Sequence, residues 1–319
     1  MVWALALIAA AVAALFAFGT REPADLTLPE GPALAPDEVA AHFAQVETEV
    51  PNRIEGVEKR VVWAREPGVV TPLSILYVHG FSATSEEIRP VPDRLAEALG
   101  ANLVYTRLTG HGRGGAALAE ATVADWMADM AEGLAAARAV GQRVILMGTS
   151  TGGTLVTAAL AQPGGDKAVA GAILVSPNFR IKAPAAVLLT QPGARIWAPW
   201  VAGAERAFAP VNDAHAAYWT EAYPTVALLP MAALVKAVGA LDLSRVTVPA
   251  LFWFADADTV VSADATRDAA ARWSGPVTLW SVEMGSGDDP AAHVVMGDIL
   301  SPGQTAPAVA ALRDWIEGL

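Results

Sequence analysis

The sequence predicts an α/β fold in which helices cover both faces of a mostly parallel central sheet. Apolar segments with strand character alternate with helical segments along most of the chain, which is the pattern of such a sheet. One apolar strand, at 143–147, ends in Gly148-Thr149-Ser150-Thr151-Gly152 and leads directly into a helical segment at 153–161. From about residue 180 to 245 the alternation stops and helical segments rich in alanine and aromatic residues take over, which predicts an inserted helical cap.

Composition limits the classes of function. The chain has 319 residues, of which 54% are hydrophobic and 17% charged, and this is enough for one large α/β domain or two small ones with a substantial core. Its formal net charge is -12 and it has no cluster of Lys or Arg, which argues against a nucleic-acid partner. The absence of cysteine excludes disulfides, thiolate metal sites and a cysteine nucleophile. None of these quantities indicates the oligomeric state.

The first segment, residues 1–20, is apolar through Phe18, and the first charged side chain of the chain is Arg21. As a helix it would extend roughly 28 Å, about the thickness of the hydrocarbon core of a membrane. We therefore expect a single membrane anchor, with the membrane face undecided because only Arg21 could set it. A secretory signal cleaved after Ala17-Phe18-Gly19 is the alternative, and a core helix is a third; the lack of a basic residue before the apolar stretch weighs against the signal.

Two further segments complete the predicted organisation. Residues 21–50 form a proline-rich spacer followed by a short helix, and residues 51–319 form the α/β domain with its cap at about 180–245. Within the domain the predicted strands are 60–64, 73–78, 103–105, 143–147, 172–177, 248–254 and 277–281, and the predicted helices are 86–99, 124–140, 153–161 and 305–319. Ligands bind such sheets at the carboxyl ends of the strands. The candidate residues below all follow strands.

The Gly-x-Ser-x-Gly pentapeptide predicts a tight turn that exposes a serine. Glycines are needed beside Ser150 because a Cβ on either side would clash in a strand–turn–helix elbow. A serine held in this way can attack a carbonyl carbon once a base removes its proton. A short Gly/Ser/Thr sequence alone is weak evidence, and the apolar strand before it and the helix after it are what strengthen the interpretation.

The base and the acid follow from chain order. Along the chain, the carboxylate follows the elbow serine and the histidine follows the carboxylate. Of the histidines at positions 42, 79, 111, 215 and 293, only His215 and His293 follow Ser150, and His215 lies in the cap before any suitable acid. His293 is therefore the expected base. Asp258 is the preferred acid over Asp256, on the spacing of the loop that follows the strand at 248–254. Asp288 and Asp289 are expected to be solvated loop charges.

An attacked carbonyl develops negative charge on its oxygen, which two backbone amides must stabilise. We expect these oxyanion-hole amides to be those of Thr151, at the start of the elbow helix, and Phe81, in the loop after His79-Gly80. Gly80 allows close approach of the backbone at this point. His79 and His111 are interpreted as residues that organise their loops, and neither is a candidate base.

Together these motifs resemble the α/β-hydrolase superfamily, in particular its monoglyceride lipase and carboxylesterase branch, which includes relatives described as serine aminopeptidases. The resemblance covers residues from about 60 to 319 and rests on His79-Gly80-Phe81, Gly110-His111-Gly112, the elbow, Asp258-Thr259-Val260-Val261 and His293. It implies an eight-stranded sheet, a helical cap over the site, and no metal or organic cofactor. The apolar segment at the amino terminus and the threonines beside Ser150 depart from the family pattern and leave the substrate open.

The sequence thus predicts a serine hydrolase of carboxylic esters, with lipid-like or acylglycerol esters favoured by the aromatic cap and the predicted anchor. A peptidase or amidase with the same three residues is an alternative, which would need charged cap residues to bind a peptide terminus. The available ones are Glu205, Arg206, Asp213 and Glu221. A binding protein without catalytic activity on the same fold is a third possibility.

Overall fold

The computed structural model describes residues 18–319, together with Trp3 and Leu15. Its strands are β1 (Arg60–Val62), β2 (Thr71–Val78), β3 (Asn102–Tyr105), β4 (Gly141–Thr149), β5 (Val169–Val175), β6 (Glu205–Ala207), β7 (Ala222–Pro224), β8 (Ala250–Phe254) and β9 (Val277–Ser281). Seven of them form one sheet in the order β1-β3-β2-β4-β5-β8-β9. Only the edge pair β1–β3 is antiparallel, and β6 and β7 form a separate antiparallel pair.

The α-helices within the described residues are α1 (Val39–Thr48), α2 (Val91–Leu99), α3 (Gly115–Leu118), α4 (Val123–Val140), α5 (Thr151–Leu160), α6 (Ala194–Ala202), α7 (Asp213–Tyr218), α8 (Leu228–Gly239), α9 (Ala263–Arg272) and α10 (Pro302–Glu317). One buried core layer joins the sheet to α4, α5 and α8, and a second joins the opposite face to α2 and α10. This arrangement confirms the predicted fold class, a mostly parallel sheet with helices on both faces. The main sheet has seven strands in the described part of the chain, where the resemblance implied eight.

The parallel registers bring the carboxyl ends of the central strands to one edge of the sheet. Val78 of β2 lies opposite Gly148 of β4, and Val175 of β5 lies opposite both Thr149 of β4 and Trp253 of β8. The loops that follow β2, β4 and β8 therefore start side by side. The predicted site residues lie in or directly after these loops, except His293, which lies in the loop after β9.

The chain leaves the sheet between β5 and β8 and forms a mainly helical insertion. It contains α6, α7, α8, the β6–β7 pair and three short 3-10 helices at Pro184–Thr190, Thr225–Ala227 and Leu243–Arg245. The cap side chains Tyr223 and Trp219 reach the strand-end loops, where the Tyr223 ring contacts Phe81 edge-on at 5.4 Å. The insertion thus covers the edge of the sheet where the site loops begin.

Residues 21–36 have neither helix nor strand and lie along the domain. Leu26, Leu28 and Leu34 pack against the core layer that contains α4 and α5. Arg21 donates a hydrogen bond to the Thr190 carbonyl of the cap at 2.7 Å. Apolar packing and this polar contact both hold the segment to the α/β domain.

The predicted membrane anchor and membrane localisation are corrected. A spanning helix needs about 20 predominantly apolar residues. Within the part of the chain that the structure describes, no helix is long and apolar enough to cross a membrane. The longest of these, α4, has 18 residues and contains Asp125, Asp129, Glu132 and Arg138. The apolar stretch that carried the prediction, and the alternative of a cleaved signal, lie almost wholly outside the described residues.

Candidate active site

Ser150 occupies a strained turn between β4 and α5. Its φ of 52° and ψ of -116° lie outside the regions that a serine favours. Flanking glycines are required because a Cβ at Gly152 would lie 2.0 Å from the Val78 carbonyl oxygen, and one at Gly148 would lie 2.6 Å from the Gly152 carbonyl carbon. The Ser150 amide donates to the Val175 carbonyl at 2.8 Å, which ties the turn to the neighbouring strand. The backbone therefore presents the hydroxyl at the sheet edge.

Asp258 and His293 reach the same point from two other loops. The Oδ2 atom of Asp258 accepts a hydrogen bond from His293 Nδ1 at 2.8 Å, and His293 Nε2 lies 3.0 Å from Ser150 Oγ. Because the carboxylate can only accept, Nδ1 carries the proton and the lone pair of Nε2 faces the serine hydroxyl. The arrangement can move a proton from the hydroxyl to the imidazole and hold the resulting imidazolium beside a carboxylate.

The two aspartates after β8 have different environments. The Asp258 carboxylate is 1% exposed, and its Oδ1 accepts the amides of Val260 and Val261 at 2.7 and 2.9 Å. Asp256 lies at the surface, where it pairs with Arg267 at 2.6 Å. The hydrogen bond from Arg267 lowers the pKa of Asp256. The structure brings Asp258, the residue preferred on spacing, to the histidine and leaves Asp256 outside the site.

The loop that carries His293 is held by a second buried aspartate. Asp289 accepts the amides of Ala291 at 3.0 Å and of His293 and Val294 at 2.9 Å each. The expectation that Asp288 and Asp289 are solvated charges is wrong, since both side chains are buried and bind backbone amides. Sequence reasoning missed this role because it depends on where the loop folds back on itself.

The pKa of His293 is shifted by opposing influences. Burial disfavours the charged imidazolium and lowers the pKa, whereas the hydrogen bond and charge of Asp258 raise it, with further contributions from Glu87 and Asp289. The net effect is a pKa above the ordinary histidine value. The ring is therefore a stronger proton acceptor than an exposed histidine.

Both predicted oxyanion-hole amides lie beside the serine. In the described part of the chain, neither the Phe81 nor the Thr151 amide donates a hydrogen bond to another residue, so both remain available. Gly80 precedes Phe81 and lies close to Ser150, since a Cβ there would be 3.2 Å from Ser150 Cβ. Phe81, Thr151 and Ser150 line one cavity. Both amides therefore stay predicted donors to a carbonyl oxyanion.

His79 holds the Phe81 loop, as its sequence position suggested. The Leu108 amide donates to His79 Nε2 at 3.1 Å, so the proton is on Nδ1, which donates to the Gly80 carbonyl at 2.9 Å. Burial lowers the pKa of His79 to about 4, which keeps the ring neutral. His111 packs against it with 4.9 Å between ring centroids, and burial lowers its pKa as well. Neither histidine forms a hydrogen bond with Ser150.

The remaining histidines have structural partners. His215 lies in α7, accepts the Val211 amide at 3.1 Å and stacks on Phe208. It lines the cavity from the cap but makes no hydrogen bond to Ser150. His42 of α1 contacts Glu132 at 2.6 Å, far from the elbow.

A cavity of about 570 Å³ opens at Ser150 between the sheet edge and the cap. Its walls are mostly apolar and aromatic and come from both the α/β domain and the cap. They include Phe81, Ile181, Phe208, Trp219, Leu228 and Met231. Asn178 and Glu87 are polar lining residues that the sequence analysis did not single out. The volume and lining suit an apolar substituent next to the serine. Within the described residues, no group of His, Asp and Glu side chains could hold a metal ion.

The chain is similar to known hydrolases. Residues 72–279 match the model of a hydrolase family that is described as serine aminopeptidase, S33. A thermostable monoacylglycerol lipase of Bacillus sp. (strain H-257) is 33% identical over 190 residues, which cover 60% of this chain and 72% of that protein.

Solved structures agree on the fold. A structure from work on LipS and LipT, two metagenome-derived lipolytic enzymes, has a TM-score of 0.65 at 22% identity and covers 84% of this chain and 100% of its own. Paleococcus ferrophilus monoacylglycerol lipase has a TM-score of 0.57 at 16% identity, covering 82% of this chain and 99% of its own. The predicted class of enzyme, an esterase- or lipase-type hydrolase, is confirmed at this level. The chain belongs to the serine aminopeptidase S33 family of α/β-hydrolases, in its monoglyceride lipase-like branch.

Proposed function

We propose that this protein hydrolyses carboxylic esters with apolar acyl groups, such as acylglycerols, through a Ser150–His293–Asp258 triad. The observation that carries the proposal is the continuous hydrogen-bonded chain from Asp258 through His293 to Ser150 at the floor of a largely apolar cavity. The monoacylglycerol lipase relative supports the substrate class.

In the proposed mechanism Ser150 Oγ attacks the ester carbonyl while His293 Nε2 accepts its proton. The amides of Phe81 and Thr151 donate to the oxyanion, and Asp258 stabilises the imidazolium. His293 then gives the proton to the departing alkoxide, which leaves an acyl ester on Ser150. Water attacks this ester, His293 accepts a proton from the water, and the carboxylic acid and free serine are regenerated.

The acyl group is proposed to lie among the apolar cap residues. Burial of each CH2 group stabilises by about 0.8 kcal/mol, which corresponds to roughly a fourfold gain in kcat/KM while the chain still fits the cavity. The test compares p-nitrophenyl esters from acetate to decanoate. Rising kcat/KM with chain length is expected, and a strong preference for acetate over decanoate would contradict the substrate class.

Ser150→Ala tests the nucleophile. Loss of the hydroxyl should lower kcat by roughly three to six orders of magnitude, because the remaining site keeps only binding and oxyanion stabilisation. A fluorophosphonate probe should label the wild-type protein at Ser150 and leave the variant unlabelled, with the thermal unfolding of both unchanged. A variant that retains substantial hydrolysis would rule out Ser150 as the nucleophile.

The family description, serine aminopeptidase, raises the peptidase alternative, but the charged cap residues do not favour it. Of the four charged cap residues that could bind a peptide terminus, only Arg206 lines the cavity. A free amino terminus would need a carboxylate from the cap at this position, and Glu205 and Asp213 are exposed elsewhere. Hydrolysis of aminoacyl-amides in the absence of ester hydrolysis would reverse this preference.

A further inference from the structure

We propose that Glu87 is a positioning residue that holds the oxyanion loop in place and acts on His293 as a second negative charge across the catalytic cavity. The inference rests on the ester hydrolysis proposed above. Glu87 lies between β2 and α2, is 2% exposed, and lines the cavity with Ser150 and His293. In the described part of the chain it has no ion-pair partner, although an uncompensated buried carboxylate is costly.

The carboxyl group fixes one side of Gly80. Its Oε2 atom accepts the Gly80 amide at 2.7 Å and the Tyr77 hydroxyl at 2.9 Å. His79 fixes the other side through the Gly80 carbonyl at 2.9 Å. Because a trans peptide is planar, holding the Gly80 carbonyl sets the direction of the next amide, which is that of Phe81. Two side chains thus determine where this proposed oxyanion donor points.

The packing leaves little freedom at this position. A Cβ on residue 80 would lie 2.6 Å from Glu87 Oε1 and 3.2 Å from Ser150 Cβ. The carboxyl group therefore packs directly on the backbone that approaches the nucleophile. Thr149, at the end of β4, contacts the Tyr77 hydroxyl at 3.1 Å and extends the network to the elbow strand.

Two titratable groups face Glu87, namely Tyr77 from β2 and His293 from the loop after β9. Burial raises the pKa of Glu87 to about 7, while the Gly80 and Tyr77 hydrogen bonds and the charge of His293 oppose the rise. In return the negative charge of Glu87 contributes to the raised pKa of His293. Because Glu87 becomes protonated below about pH 7, it and His293 titrate as a coupled pair, and Glu87 raises the pKa of His293 only while it is charged. Removing that charge should lower the pKa of His293, so the acid limb of kcat/KM should move to lower pH.

The test uses Glu87→Gln and Glu87→Ala, with Glu86→Gln as the matched control. Glutamine keeps an acceptor for both donors but removes the charge, whereas alanine removes both. Glu86 pairs with Arg60 and Arg89 outside the cavity, at 3.3 and 2.7 Å. The measurements are kcat, KM and pH profile on p-nitrophenyl hexanoate, the rate of fluorophosphonate labelling, and NMR titration of the His293 ring with labelled histidine.

We expect Glu87→Gln to keep kcat within about fivefold of wild type above the acid limb and to shift that limb and the His293 titration to lower pH. Glu87→Ala should lower kcat and the labelling rate about 10- to 100-fold with KM nearly unchanged, because the loop amide is less well aimed. Glu86→Gln should behave as wild type in every measurement.

An acid limb that stays at the wild-type pH in Glu87→Gln would overturn the electrostatic part of the proposal. Wild-type kcat in a folded Glu87→Ala variant would overturn the positioning part. If that variant does not fold, the test is Glu87→Gln, which keeps the acceptor that holds the loop. A kcat as low in Glu87→Gln as in Ser150→Ala would then overturn the positioning part. If the wild-type protein neither hydrolyses esters nor reacts with the probe, the proposed function fails. The NMR titration still decides the Glu87 proposal, which an unchanged His293 titration in Glu87→Gln would refute.

Discussion

Replacing Asp258 by asparagine tests how the proposed triad sets the tautomer of His293. The asparagine Oδ1 can still accept the amides of Val260 and Val261, so the turn after β8 should remain intact. Its NH2 group, however, would face His293 Nδ1, where the wild-type carboxylate accepts a proton at 2.8 Å. Two donors cannot bond to each other, so the ring should place its proton on Nε2 and face Ser150 with a donor.

A base in the wrong tautomer cannot accept the serine proton, and the expected loss in kcat is about four orders of magnitude. The assay is hydrolysis of p-nitrophenyl hexanoate, with thermal unfolding as a check on the fold. Asp256→Asn is the matched control, since it changes an exposed ion pair with Arg267 worth less than about 1 kcal/mol. Equal losses in the two variants, or a larger loss for Asp256→Asn, would refute the assignment of the acid.

Three further predictions concern stability and pH. In differential scanning calorimetry, Gly152→Ala should lower the melting temperature by more than about 5 °C, since the new Cβ would lie 2.0 Å from the Val78 carbonyl oxygen. The control Gly239→Ala places its Cβ in open space in α8 and should leave the melting temperature unchanged or raise it. The value of kcat/KM should fall with decreasing pH through a His293 pKa that lies above the ordinary histidine value, because only the neutral ring accepts a proton; a limb below that value would contradict the Asp258 contact. The pKa of His79 falls to about 4 on folding, so between pH ~6.5 and 4 only the unfolded chain binds a proton at this residue. The free energy of unfolding, measured with urea, should therefore decrease by up to about 3 kcal/mol as the pH falls through this range. The decrease should be smaller in His79→Asn.

The elements that position the main site residues could be predicted from sequence because local patterns determine them. An apolar strand before Ser150 and small residues after it specify the elbow without knowledge of any distant contact. The order of Asp258 and His293 along the chain then follows from the order in which strands end at the same edge of a parallel sheet. Their meeting point in space is a consequence of that topology.

The supporting residues could not be predicted because their partners are backbone groups in turns. The sequence predicts a helix over 86–99 that includes Glu87, but the helix begins at Val91 and the preceding residues form turns. Asp289 looked like a loop charge for the same reason. Periodicity identifies helices and strands, and it carries no information on which amide a buried carboxylate will meet.

The three buried carboxyl groups around His293 share one physical design. Asp258 accepts two backbone amides, Asp289 accepts three, and Glu87 accepts the Gly80 amide. Asp258 and Asp289 therefore fix their loops through amide dipoles that stabilise the buried charge, whereas at Glu87 burial outweighs the hydrogen bonds and raises the pKa to about 7. A cation paired with any of them would offset its field. Within the described residues none of the three pairs with a lysine or arginine, and all three contribute to raising the pKa of His293. In the proposed mechanism, the groups that hold the loops would therefore also stabilise the imidazolium that forms when Ser150 loses its proton.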